Sequence, residues 1–163
     1  MHGAGDYCVK QSGETRVGTY SRSEGSFARV RVGRIVEVHA GQLTRLTDVE
    51  AFSASVFAAL CAAGPEAVIC ADYRGATPFS GEVANAWSRA MRKTNTQISR
   101  SALLLHPSNT MFNLQVERVV QCAASEHRRL FEDARALCDW LDSGLTDAER
   151  EAVKRWVGTP VRG

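Results

Sequence analysis

The feature that most constrains this chain is an unbroken alternation of short apolar runs and amphipathic stretches between Ala67 and Trp140. AVICADYRG is a buried-strand pattern that stops at Asp72. TPFSGEVANAWSRAMRK turns into a helix, and SRSALLLH is a second buried run. PSNTMFNLQVERVVQCAA has apolar residues at helical spacing, and HRRLFEDARALCDWLD reads as a short strand followed at once by a helix. Apolar runs separated by ten- to fifteen-residue helical patterns specify strands joined by helical crossovers, which is an α/β sheet. Parallel neighbours joined in this way are expected to use right-handed crossovers.

The rest of the chain extends that unit. Tyr7–Lys10 and Thr15–Tyr20 read as two short strands, residues 1–6 as a frayed end, and SRSEGS (21–26) as a loop. FARVRV and IVEVHA flank Gly33-Arg34, a type II′ hairpin signal. Alternation places Phe27, Arg29 and Arg31 on one face and Ala28, Val30 and Val32 on the other. Thr47 and Glu50 read as a capping box for a helix to about Ala63, with an apolar stripe of Phe52, Val56, Ala59, Leu60 and Ala63. Ser80 or Gly81 is expected to cap the Trp87 helix, Ser108 the next, and Asp133 the one after. Thr146 and Glu149 form a second capping box, for a helix carrying Val153, Trp156 and Val157. The expected divisions within one domain are 1–26, strands and loop that extend the sheet; 27–142, the core; and 143–163, a C-terminal helix and tail.

Composition narrows the function classes. A hydrophobic fraction of 44% over 163 residues supports a real core, and a net charge of +2 gives no electrostatic reason to expect nucleic acid. The sequence shows neither a secretory leader nor an apolar run of membrane-spanning length, so a cytoplasmic protein is expected. The five cysteines, Cys8, Cys61, Cys70, Cys122 and Cys138, have no CxxC spacing, and the last four read as small core residues. No G-x-S-x-G elbow, Walker loop or dinucleotide fingerprint occurs, and the histidines lack metal-ligand spacing. No cofactor, metal or catalytic set is expected.

The segments IVEVHAGQLT, VICADYRGATPFSGEV, SALLLHPSNTMFNLQVERVV and RRLFEDARALCDWL together resemble the STAS family of bacterial anti-sigma-factor antagonists, over about residues 30–142. They resemble most the STAS-like group whose naming overlaps with lipid-binding CRAL-TRIO domains. The resemblance implies an α/β fold with a mixed sheet and helices packed mainly on one face, here with an N-terminal β-hairpin and a C-terminal helix added. It also implies a non-enzymatic role in protein interaction and bacterial signalling or regulation. Antagonists of this family carry a phosphorylatable residue in an Asp-Ser-Ser-Gly-like motif after a strand ending in Asp. Asp72 and Gly75 fit the start of that pattern, the Ser-Ser-Gly core is missing, and Ser80-Gly81 is what remains near it.

The candidate site follows from two loops at the C-terminal ends of adjacent strands, where open α/β sheets meet their ligands. The first carries Asp72, Tyr73, Arg74, Thr77, Ser80 and Gly81; the second carries His106, Ser108 and Asn109. Ser80 at a helix start is both an ordinary N-cap and a place where a phosphate would meet free amides. Arg74→Glu is expected to weaken partner capture without unfolding the domain. The expected partner is another protein, with a homodimer through an exposed edge strand as a further form. The alternative is a small apolar or lipid-like ligand enclosed by Met111, Phe112, Leu114 and the Trp87 helix. Arg89, Arg92, Lys93 and Arg100, with His127, Arg128 and Arg129 further on, read as a solvated basic face.

Overall fold

The computed structural model describes residues 25–159; the strands expected at Tyr7–Lys10 and Thr15–Tyr20, and Cys8, lie outside the described residues. The chain runs β1 (Phe27–Val32), β2 (Ile35–His39), α1 (Leu46–Ala63), β3 (Ala67–Asp72), α2 (Gly81–Lys93), β4 (Ile98–Leu104), α3 (Thr110–Ala123), β5 (Arg128–Phe131), α4 (Ala134–Asp142) and α5 (Asp147–Val157). Among the described residues the strands form one sheet in the order β1-β2-β3-β4-β5, with β1 antiparallel to β2 and the remaining pairs parallel. This is the mixed α/β sheet that the sequence implies.

Period-two alternation divides the buried side chains between the two faces. Val36, Val38, Ile69, Ala71 and Leu103 meet Phe52, Val56, Trp87, Phe112 and Val116, so α1, α2 and α3 cover the first face. Ile35, Val68, Cys70, Ala102 and Leu104 meet Leu137, Leu141, Val153 and Trp156 on the second face, under α4 and α5. Each large apolar side chain buried in this way stabilises the fold by about 1.5–3 kcal/mol. By length and composition alone α1 is long and apolar enough to cross a membrane, which the sequence reading missed. Val49, Phe52, Val56, Ala59 and Leu60 of this helix are instead buried on the sheet.

The Gly33 hairpin forms as expected, with φ +54 at Gly33. A register shift between Val30 and Val32 moves Val32 to the opposite face from the one alternation predicts, where it packs beside Ile35. The extra residue of a bulge resets the alternation. The first helix starts earlier than the Thr47–Glu50 box implies. Its N-cap is Arg45, and the Asp48 carboxylate accepts from the amides of Thr44 (3.1 Å) and Arg45 (2.9 Å). Ser80, Asp133 and Thr146 cap α2, α4 and α5 as expected. Ser108 does not cap α3; Asn109 holds that position, with no side-chain cap bond. Cys70 is buried, but Cys122 is exposed on α3 and is not a core residue.

Candidate functional site

The two loops start side by side because sheet pairing continues one residue past the strand ends. The Tyr73 amide donates to the Leu104 carbonyl (2.9 Å) and the Leu105 amide to that of Phe131 (2.8 Å). Alternation then sends consecutive side chains of the first loop to opposite faces, so Asp72, Tyr73 and Arg74 do not form one surface.

Asp72 is buried on the α5 side and held by its neighbour. The Arg74 Nε and Nη2 groups donate to its two oxygens at 3.0 and 2.9 Å, and the Arg74 amide adds a third bond at 3.0 Å. Arg74 Nη2 also donates to the Thr159 carbonyl (2.9 Å), which fixes the end of α5. The pairing with Asp72 raises the Arg74 pKa above its ordinary value. His39 Nδ1 lies 3.9 Å from Asp72 Oδ2, and the imidazole stacks on Phe27 with centroids 5.5 Å apart. A cleft of about 160 Å³ lies here, lined by Arg29, Glu37, His39, Asp72 and Arg155 among others. His39 is a residue that the sequence reading passed over. The signal was available: IVEVH and AVICAD end in His and Asp at the same register position, on the same face.

Tyr73, expected at the partner surface, is 1% exposed and belongs to the core. Its hydroxyl accepts from Trp87 Nε1 (2.8 Å), its ring stacks on Phe112, and burial raises its pKa well above the usual phenol value. Phe79 is also buried, and Gln115 of α3 bonds both its amide (2.9 Å) and its carbonyl (3.0 Å). That clamp ties the first loop to α3. Thr77 is half-buried, while Ser80 and Gly81 are exposed at the start of α2. The Ser80 hydroxyl accepts from the Val83 amide (3.2 Å).

His106, Ser108 and Asn109 make a tight local turn in the second loop. His106 Nδ1 accepts from the Ser108 amide (3.2 Å) and lies 2.7 Å from the Ser108 hydroxyl. An Nδ1 that accepts an amide proton leaves Nε2 as the protonated nitrogen of the neutral ring. Asn113, another residue not singled out from sequence, donates to the His106 carbonyl (3.0 Å) and to Glu132 (2.9 Å), joining this loop to the one after β5. Just beyond, Met111 and Leu114 are 72% and 57% exposed. They do not enclose a pocket with Phe112, which points into the core. Arg128 also departs from the solvated basic face expected of it and is buried. Among the described residues no cluster of three or more His, Cys, Asp or Glu side chains is placed to hold a metal.

No family model matches the sequence, and no curated protein matches it. The architecture does match a solved structure, that of an uncharacterized protein of the DUF3478 family from Shewanella loihica, described as having a SpoIIAA-like fold. The match has a TM-score of 0.51 and 22% sequence identity, and covers 76% of this chain and 99% of the other. This chain has the SpoIIAA-like fold. That is the STAS, or anti-sigma-antagonist, fold implied by the sequence resemblance. On the SpoIIAA-like frame the exposed candidate residues are Ser80 and Gly81 in one loop and His106 and Ser108 in the next, with Thr77 of the first loop half-buried.

Proposed function

We propose that the chain is a non-enzymatic protein-interaction module that acts in bacterial signalling or regulation, in the cytoplasm. Its docking surface is the edge made by Thr77, Ser80 and Gly81, by His106, Ser108 and Asn109, and by the first turns of α3. The carrying observation is the pair Met111 and Leu114, which leave large apolar side chains in solvent beside both loops. They stand three residues apart on one helix and so share a face. Single exposed apolar residues are ordinary, but an apolar pair rimmed by polar loop residues suits a protein partner. The SpoIIAA-like fold supports the reading, because the family that the sequence resembles works by docking.

The alternative, a small apolar ligand, has less to occupy. The cavity beside Trp87 is about 30 Å³, the scale of a single water. An acyl chain would have to lie in the open groove between α1 and α2, along Leu46 and Phe57.

The test is a photo-crosslinking residue placed at Met111 and, as a control, at exposed Glu151 on α5. A discrete protein adduct at Met111 alone, competed away by unlabelled protein and lost in Leu114→Glu, is expected. The same adducts at both positions, or none at Met111, would sink the reading.

A further inference from the structure

The inner cavity between α1, α2 and the sheet is lined by Arg128, a residue that no part of the docking surface uses. Arg128 is 8% exposed, and among the described residues it has no carboxylate partner. Its neighbours are neutral. Nε donates to Asn95 Oδ1 (3.1 Å), Nη1 to the Ser101 hydroxyl (3.3 Å), and Nη2 to the Met91 carbonyl (2.8 Å) and the Thr94 hydroxyl (2.9 Å). A guanidinium has five N–H donors, so one on Nη1 is left over. A buried charge without a counter-charge is costly even when its hydrogen bonds are made.

The other polar groups around the cavity lean the same way. The Tyr73 hydroxyl accepts from Trp87 and its own proton has no acceptor among the described residues. The Ser101 hydroxyl accepts from Arg128 and likewise has no acceptor for its proton. The Thr94 and Ser53 protons are already given to the carbonyls of Met91 (2.9 Å) and Val49 (2.6 Å). The cavity therefore offers spare donors and one uncompensated positive charge, beside the hydroxyl oxygens of Tyr73, Ser101, Thr94 and Ser53.

We propose that this cavity is a binding site for a single monovalent anion of halide size, held by the Arg128 guanidinium and the Tyr73 hydroxyl. A volume of about 30 Å³ is the scale of one such ion. A water molecule would accept from the spare donors but would leave the guanidinium charge standing. Burial pushes the Arg128 pKa down to about 10. Ser53, Ala90 and Thr94 line both this cavity and the outer α1–α2 groove, which gives the ion its way in.

The experiment is bromide binding by the full chain. Crystals grown in sodium bromide are expected to show an anomalous peak within hydrogen-bonding reach of Arg128 Nη1 and Tyr73 Oη. In solution, replacing sodium gluconate by sodium bromide at constant ionic strength is expected to raise the unfolding midpoint saturably, by a few degrees. Arg128→Met should abolish that rise. Wild-type crystals without the peak overturn the proposal, as does a bromide response unchanged in Arg128→Met. If Arg128→Met fails to fold, the wild-type anomalous map decides alone.

Discussion

The Arg34 guanidinium grips the Glu149 carboxylate, with Nε 3.3 Å from Oε1 and Nη2 3.1 Å from Oε2, and so joins the β1–β2 turn to the first turn of α5. The Arg34 amide adds a bond to Oε1 (3.0 Å) and the Thr146 amide one to Oε2 (2.9 Å). Burial alone would raise the Glu149 pKa, but the hydrogen bonds from Arg34 and Thr146 outweigh it and hold the group down at about 2, against an ordinary value of 4.5. A carboxylate depressed in the folded state contributes stability that is complete above its unfolded pKa and is lost as pH falls through the folded one. The contribution is on the order of 2–3 kcal/mol. Urea unfolding between about pH 6 and pH 2 should therefore show stability declining below about pH 4.5, and Glu149→Gln should flatten that part of the profile. An unchanged slope in the variant would remove the assignment.

Gly33 is required by two separate constraints. Its φ of +54 lies in the left-handed region, and a Cβ there would meet Glu149 Oε1 at 2.6 Å. Gly144 has φ +85 with open space around the same position. Gly144→Ala should thus cost about 1–2 kcal/mol, the backbone term alone. Gly33→Ala should cost about 2–4 kcal/mol, because the Arg34–Glu149 contact must shift as well. Paired denaturant titrations test this; equal losses would mean that the close approach does not matter.

Arg74→Glu was expected to weaken partner capture without unfolding the domain, and the geometry reverses that expectation. Both partners are largely buried, with side-chain exposures of 16% for Arg74 and 9% for Asp72. The substitution would set a carboxylate against a buried carboxylate and release the Thr159 carbonyl. A loss of about 3 kcal/mol or more is expected, since removing one member of a buried pair leaves an uncompensated charge. Thermal unfolding of Arg74→Glu beside Arg74→Lys checks it. A wild-type midpoint in Arg74→Glu would return the residue to the docking surface.

The cysteines should separate by burial. Burial drives the Cys70 thiol far above its ordinary pKa and removes it from solvent, whereas Cys122 is exposed on α3. Because the thiolate is the reactive form, maleimide should label Cys122 in the native state and Cys70 only on unfolding. Peptide mapping after brief labelling shows which thiol reacts, and native labelling of Cys70 would contradict the packing described.

What the sequence made legible was whatever depends on local period and local chemistry. The strand–helix order, the Gly33 hairpin and the Ser80, Asp133 and Thr146 caps are all read from residues within a few positions of one another. What it hid depends on register and on distant partners. Tyr73 and Asp72 are adjacent in sequence, yet only their place at the end of a central strand sends one to the core and the other to α5. Arg128 looks like part of a basic run with His127 and Arg129, and only the β4–β5 pairing, which sets it opposite Ser101, puts it inside. The bulge that turns Val32 over leaves no mark in an alternating run. The helix start at Arg45 was missed because Asp48 caps from inside the helix, and a Thr-x-x-Glu pattern two residues later resembles the usual box more closely.

Ser80 is where structure and docking can be told apart. Its hydroxyl caps α2 through the Val83 amide, while its exposed position belongs to the proposed docking surface. Ser80→Ala should cost about 1 kcal/mol of stability through the lost cap. Ser80→Asp keeps an acceptor at the N-cap and adds a negative charge at the positive end of the helix, so its stability should match or exceed wild type. If Ser80 acts only as a cap, crosslinking from Met111 should be equal in wild type and Ser80→Asp. If a phosphate there controls docking, as it does in the family that the sequence resembles, the charged variant should change adduct yield severalfold at unchanged stability. Measuring both variants by chemical denaturation and by crosslinking separates the two roles, because the cap contributes to the first measurement and the docking edge to the second.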